Sequence, residues 1–190
     1  MTHKILLKLL IILLIPFQLI AYDFIYQKNN ISIKVDFDDN KIKEIKFDID
    51  INGQRNFGII NYHNDEVFIL LNTNEITFDD FKKVFPKPQK NKKLNKKINF
   101  NWEISEMKIS ENYSLLSNKL NFIYDKGFDS MIFQDSNKDF ELSILPQTNG
   151  NKQIYLSSKN AGQFFYAQKI TKNMIGGAMI GKGSFRKFND

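Results

Sequence analysis

The sequence predicts a mostly β fold: an antiparallel twisted sheet that forms an open groove, with two short helices and an N-terminal hydrophobic helix. The main observation is that apolar and polar residues alternate along most of the chain after residue 21, as in half-buried strands. Of the 190 residues, 42% are hydrophobic and 14% are aromatic, which is sufficient for a packed core. Glycine, asparagine and proline separate the alternating runs, as expected for turns.

Residues 1–21 have the composition of an export signal. Lys4 precedes an apolar run over residues 5–15, and Ala21 ends the segment with a small residue at a plausible cleavage point. Two outcomes are consistent with this pattern: cleavage after Ala21, or retention of residues 5–21 as an inner-membrane anchor. In both, the chain from Tyr22 onward is exported to the periplasm.

Export leads to the first testable prediction. Alkaline phosphatase fused after Gly53 is expected to be active in bacterial cells, because Lys4 and Lys8 hold the start of the leader in the cytoplasm. The measurement is phosphatase activity, with a matched fusion that lacks residues 1–21 as the control. An inactive full-length fusion would place the body of the protein in the cytoplasm.

Charge and cysteine content exclude several functional classes. The sequence contains no cysteine, so disulfides, thiolate nucleophiles and cysteine metal sites are absent. The net charge of +6 is concentrated in a basic linker over residues 87–97. Its lysines are Lys87, Lys90, Lys92, Lys93, Lys96 and Lys97. This linker is typical of a solvated loop or of a patch that touches anionic lipid head groups, and it does not predict a nucleic-acid partner.

The first β-rich unit is predicted over residues 22–86. Alternation predicts strands near residues 31–37, 45–51, 57–62 and 67–71, with a turn at Asn52 and Gly53. Thr77 is expected to cap a short helix over residues 78–85, which carries Asp79 and Asp80 in its first turn. Proline at position 86 ends that helix.

A second unit is predicted over residues 98–190. Alternating residues predict strands near 98–109, 120–124, 131–133, 140–144 and 154–156. A short helix is expected from Ala161 to about residue 170, followed by a glycine-rich strand or bent hairpin over residues 174–185. Both units therefore end a strand with a polar step and a short helix, which indicates a weak internal duplication.

Three segments of the second unit resemble the C-terminal region of the AsmA-like family. They are residues 140–146, residues 154–164 with a Ser and Asn-Ala-Gly step, and residues 175–183 with a Gly-Gly pair that opens a strand. The residues that carry the motif are Asn160, Ala161, Gly162, Gly176 and Gly177. The similarity is best over residues 98–186, and the chain is identified as a short or truncated member.

The resemblance implies an open β-groove at the inner membrane that handles phospholipid or assists outer-membrane assembly. Its partners would be phospholipid or a membrane surface, with a second chain extending the groove. Groove candidates are Phe140, Leu142, Ile144, Ile154, Leu156, Phe164 and Phe165. From pattern alone, the same apolar face also fits the core of a closed β-sandwich or barrel that binds a partner or small ligand in the periplasm.

The sequence predicts no catalytic residue, metal site or cofactor. His63 beside Asp65 lacks a serine in a nucleophile context, and a surface turn is its commoner setting. The run 176–184 nearly matches a phosphate-binding loop, but Gly183 stands where Ser or Thr must reach magnesium. The acidic run 36–39 lacks the glycine and closing glutamate of a calcium loop. A non-enzymatic protein is therefore expected.

Overall fold

The computed structural model describes residues 24–28, 30–39, 41–51, 53–84, 96–125, 128–167, 170 and 176–186. The predicted leader and most of the basic linker lie outside these residues. Among the described helices, none combines the length and apolar character needed to cross a membrane.

Eleven strands and two helices make up the described fold. The strands are β1 (Phe24–Lys28), β2 (Ile31–Asp38), β3 (Lys41–Ile51), β4 (Gln54–His63), β5 (Glu66–Thr77), β6 (Lys97–Ser110), β7 (Tyr113–Tyr124), β8 (Phe128–Gln134), β9 (Phe140–Pro146), β10 (Asn151–Ser158) and β11 (Met179–Arg186). The helices are α1 (Phe78–Val84) and α2 (Ala161–Ala167).

All eleven strands form one open sheet in which the spatial order equals the chain order from β1 to β11. Neighbouring strands are antiparallel, as predicted, except that β5 and β6 are parallel. The prediction of a wholly antiparallel sheet is wrong at this pair. Parallel neighbours need a crossover connection, and the connection between β5 and β6 begins with α1. The two β-rich segments consequently share a sheet.

Local turn and cap chemistry explains how individual elements begin and end. Gly53 has a φ of +79° in the predicted turn between β3 and β4, and its N–H donates to Asp50 Oδ1 at 2.9 Å. At the start of α1, the Asp80 N–H donates to Thr77 Oγ1 at 3.2 Å, and the Thr77 hydroxyl donates back to Asp80 Oδ2 at 2.8 Å. The predicted cap at Thr77 is confirmed.

One face of the sheet, the inner face, carries the hydrophobic core and both helices. Its buried residues form a single cluster from Val35 in β2 to Phe140 in β9. Phe81 of α1 stacks on Trp102 with ring centroids 5.4 Å apart, and Phe164 of α2 lies 4.9 Å from Phe140. The helices also touch each other through Phe78 and Phe164 at 5.2 Å. Aromatic burial of this kind supplies much of the stability of a disulfide-free fold.

The side-chain alternation changes phase at one row that crosses β5, β6 and β7. We call this row the pleat shift. On each strand, two successive buried residues are three positions apart instead of two, although the strands stay in register. These pairs are Thr73 and Ile76, Ile104 and Met107, and Leu115 and Asn118. Ser117 has a φ of +51°, and the buried Asn118 amide donates to Leu115 O at 2.8 Å. The sheet thereby keeps its apolar side inward on both sides of the row.

A buried polar network fixes the lateral order of β4, β5 and β6. The Trp102 indole N–H donates to Thr73 Oγ1 at 2.9 Å, and the Thr73 hydroxyl donates to Asn56 Oδ1 at 2.9 Å. A slip of one residue would turn these partners to opposite faces and leave the buried groups unpaired. The network therefore specifies the unusual parallel pairing of β5 with β6.

Candidate functional site

The inner face of the last three strands carries an apolar strip that the helices cover only in part. Leu142 on β9 lies opposite Leu156 on β10, and Ile144 lies opposite Ile154. We call these four residues the C-terminal strip. All four side chains are partly exposed, in contrast to the fully buried leucines and isoleucines at the centre of the sheet.

Glycines on β11 keep the strip open on its outer side. Gly181 lies opposite Leu156 and Gly183 lies opposite Ile154, so both glycines share the face of the strip. A Cβ atom placed on Gly183 would meet no atom within 4 Å, and one on Gly181 would only touch the Leu156 Cβ at 3.9 Å. Larger residues at these positions would cover the strip; glycine leaves it accessible.

The other predicted groove residues lie at the end of the strip nearer the core. Phe140 is 5% exposed and belongs to the core, where it contacts Phe133 at 5.7 Å. Phe164 is half-buried and contacts Phe140 and Phe78, and Phe165 lies 6.2 Å from Phe164 on the same helix. Of the seven predicted residues, four form the strip, Phe140 belongs to the core, and Phe164 and Phe165 lie on α2.

The motif residues form the junction between α2 and β11. The Ala161 N–H donates to Gly177 O at 2.7 Å, and Gly177 has a φ of +102°. Gly162 is so close to Gly176 that an added Cβ would lie 2.4 Å from the Gly176 backbone nitrogen. The buried Asn160 Oδ1 accepts no hydrogen bond within the described part of the chain. These residues hold β11 beside β10, and with it the open edge of the strip.

Sequence reasoning missed a buried ion pair at the far end of the strip. Lys152 is on the same face as Ile154, two residues along β10, and is only 5% exposed. Its ammonium donates to Asp129 O, lies 3.4 Å from Asp129 Oδ1 and sits 5.6 Å from the centre of the Phe128 ring. Burying a lysine demands such partners. A single lysine in a polar stretch of β10 has no local signature of burial.

The sequence motifs that superficially resemble functional sites lie in ordinary structural positions. His63 is an exposed residue at the end of β4. Residues 179–184 of the near phosphate loop lie in the strand β11 rather than in a loop before a helix. No group of three potential metal ligands occurs among the described residues.

Burial raises the pKa of Tyr113, and the nearby Asp139 and Asp135 add to the rise. The buried Tyr113 hydroxyl makes no hydrogen bond within the described part of the chain.

Each of the two outer strands has one edge that pairs with no other described strand. Within the described strands, β11 pairs only with β10, and β1 pairs only with β2. No family model, curated protein or solved structure matches this chain.

Proposed function

We propose that the protein is a non-enzymatic, AsmA-like component of the cell envelope that handles phospholipid through the C-terminal strip. The observation that carries the proposal is the open apolar surface at Ile144 and Ile154, beside a glycine position with free space above it. Each methylene of an acyl chain buried there contributes about 0.8 kcal/mol. Such transfer requires neither a nucleophile nor a metal ion.

The proposal includes export and an assembly partner. Residues 5–21 would direct the body to the periplasm or anchor it in the inner membrane. A second chain would extend the strip by pairing with β11, whose outer edge bonds to no strand in the described part of the fold. The strip is short because most of the inner face is already filled by the core.

A partner-binding role without lipid is the second candidate. It is favoured by the continuous core, in which Ile45, Trp102 and Leu120 are all at most 1% exposed. The closed sandwich or barrel expected for this alternative is wrong, because the described strands form one open sheet. The partner would use the free edges of the sheet, and the strip would be only the margin of the core.

Filling the strip distinguishes the two candidates. Gly183→Trp is expected to reduce copurifying phospholipid severalfold, because the indole would occupy the open space above Ile154. The backbone of Gly183 does not have a positive φ, so a side chain is tolerated there. Phospholipid per protein is measured by extraction and mass spectrometry from protein purified without detergent.

The matched control is Ser184→Trp, which places the same indole on the exposed opposite face. Both variants should keep the melting temperature of the wild type. Lipid loss in Gly183→Trp alone supports the strip. Wild-type protein that neither carries nor takes up phospholipid would reject lipid handling and favour the partner-binding role.

A further inference from the structure

A depression on the outer face, opposite the core, lies over the pleat shift. It has a volume of about 320 Å³ and extends from β4 to β7. The phase change places two successive residues of each central strand away from the core, among them Asn74, Ser105 and Ser117. Pockets for small ligands begin at about 300 Å³, so the depression has room for a compact molecule.

The lining is rich in side chains that both donate and accept hydrogen bonds. Asn72, Asn74, Ser105 and Ser117 face the depression, and their side chains make no hydrogen bond to any other described residue. Elsewhere on the same strands such groups are engaged, as where Ser114 donates to Glu106 at 2.7 Å. The four groups are therefore available to a ligand that offers donors and acceptors close together.

The charges around the depression cancel. Glu103 and Lys119, both in its wall, form an ion pair at 3.2 Å with side chains 60% and 61% exposed. Arg55 beyond the rim is held by two hydrogen bonds to Asp48, at 2.9 and 2.5 Å. Glu103 would repel an anion and Lys119 would repel a cation, so the electrostatics favour an uncharged ligand.

An aromatic ring stands at the edge of this polar surface. Phe57 of β4 lines the depression and is 43% exposed. The Arg55 guanidinium carbon lies 6.0 Å from the centre of this ring, and the part of the phenyl surface that stays exposed has a negative quadrupole that attracts the weakly positive C–H groups of a ligand. The occupant should therefore combine hydroxyl groups at its edges with a C–H face.

We propose that the outer depression binds a neutral oligosaccharide, with one pyranose ring against Phe57 and Asn72 and the following ring near Asn74, Ser105 and Ser117, because neighbouring strands lie about 4.8 Å apart and the lining crosses four of them. Sugar hydroxyls donate and accept, which matches the amide and hydroxyl lining, and the C–H face of a pyranose matches the phenyl ring. This site lies on the opposite face from the C-terminal strip and does not depend on lipid handling.

The test is saturation-transfer NMR with maltose, cellobiose and N,N′-diacetylchitobiose as probes. The wild type is expected to transfer saturation to the C–H protons of at least one probe. Phe57→Ala should weaken that binding about tenfold, corresponding to a loss of roughly 1.4 kcal/mol. Asn74→Ala should weaken the same probe as well.

Phe68→Ala is the matched control, since Phe68 is an outer-face phenylalanine, 37% exposed, that does not line the depression. It should bind the probe as the wild type does. Circular dichroism of each variant confirms folding, and Asn74→Ala decides the result if Phe57→Ala does not fold. Absence of transfer to all three sugars, or equal binding by wild type and both lining variants, would overturn the proposal.

Discussion

Trp102→Ala is expected to lower the free energy of unfolding by about 3–5 kcal/mol, the range for truncating a large core aromatic residue. The indole is 1% exposed and packs on Phe81 and on Phe100, whose ring centroid is 6.1 Å away. Its removal leaves a cavity beneath α1 and takes a donor from Thr73. A loss of this size is a large share of the stability of an ordinary domain.

Urea unfolding followed by far-UV circular dichroism measures this effect, because the chain has a single tryptophan and the variant has no indole fluorescence. Trp102→Phe is the control: it keeps an aromatic ring against Phe81 but loses the indole N–H. It should cost less than Trp102→Ala. If the two variants were equally stable, the ring would contribute little and the hydrogen bond to Thr73 would be the main interaction.

Local patterns explain why most strands could be predicted. The alternation of Ile45, Phe47 and Ile49 follows directly from the two-residue period of a strand with one buried face, and these residues are buried in β3. The Thr77 cap was equally predictable because it involves residues three positions apart. In both cases the signal and the interaction lie within a few residues of each other.

Longer-range features could not be predicted in the same way. The parallel pairing of β5 with β6 depends on where the chain returns after α1, which no local pattern specifies. The pleat shift depends on a change of phase in three strands at the same row. The sequence shows the three-residue spacing between Ile104 and Met107 on β6, but no local pattern links it to the matching spacings on β5 and β7. Strand β1 was missed because Phe24, Ile25 and Tyr26 are successive apolar residues and show no alternation with polar ones.

The same reasoning applies to the C-terminal strip. The sequence identified Phe140 and Ile154 as members of one apolar face, and the pairing of β9 with β10 places them there. It could not show that α2 covers Phe140 while Gly183 leaves Ile154 open, since both facts depend on neighbours distant in the chain. The outer depression was invisible for the same reason, because its lining comes from four strands.

The glycines at the junction of α2 with β11 are expected to differ in how strongly their replacement by alanine destabilises the fold. Gly162→Ala is expected to be the most harmful change, because its Cβ would lie 2.4 Å from the nitrogen and 2.6 Å from the oxygen of Gly176. These are backbone atoms, so relief requires moving the entry into β11. Overpacking of this kind costs about 1–3 kcal/mol and occasionally more.

The neighbouring glycines supply matched controls for that prediction. Gly176→Ala should be nearly neutral, because its own Cβ would meet no atom within 4 Å. Gly177→Ala should be intermediate, since a φ of +102° strains any residue with a side chain while the space around it is open. Melting temperatures should therefore fall most for Gly162→Ala, less for Gly177→Ala and least for Gly176→Ala. If Gly176→Ala were the most damaging, the close approach of the two backbones would not be what requires glycine here.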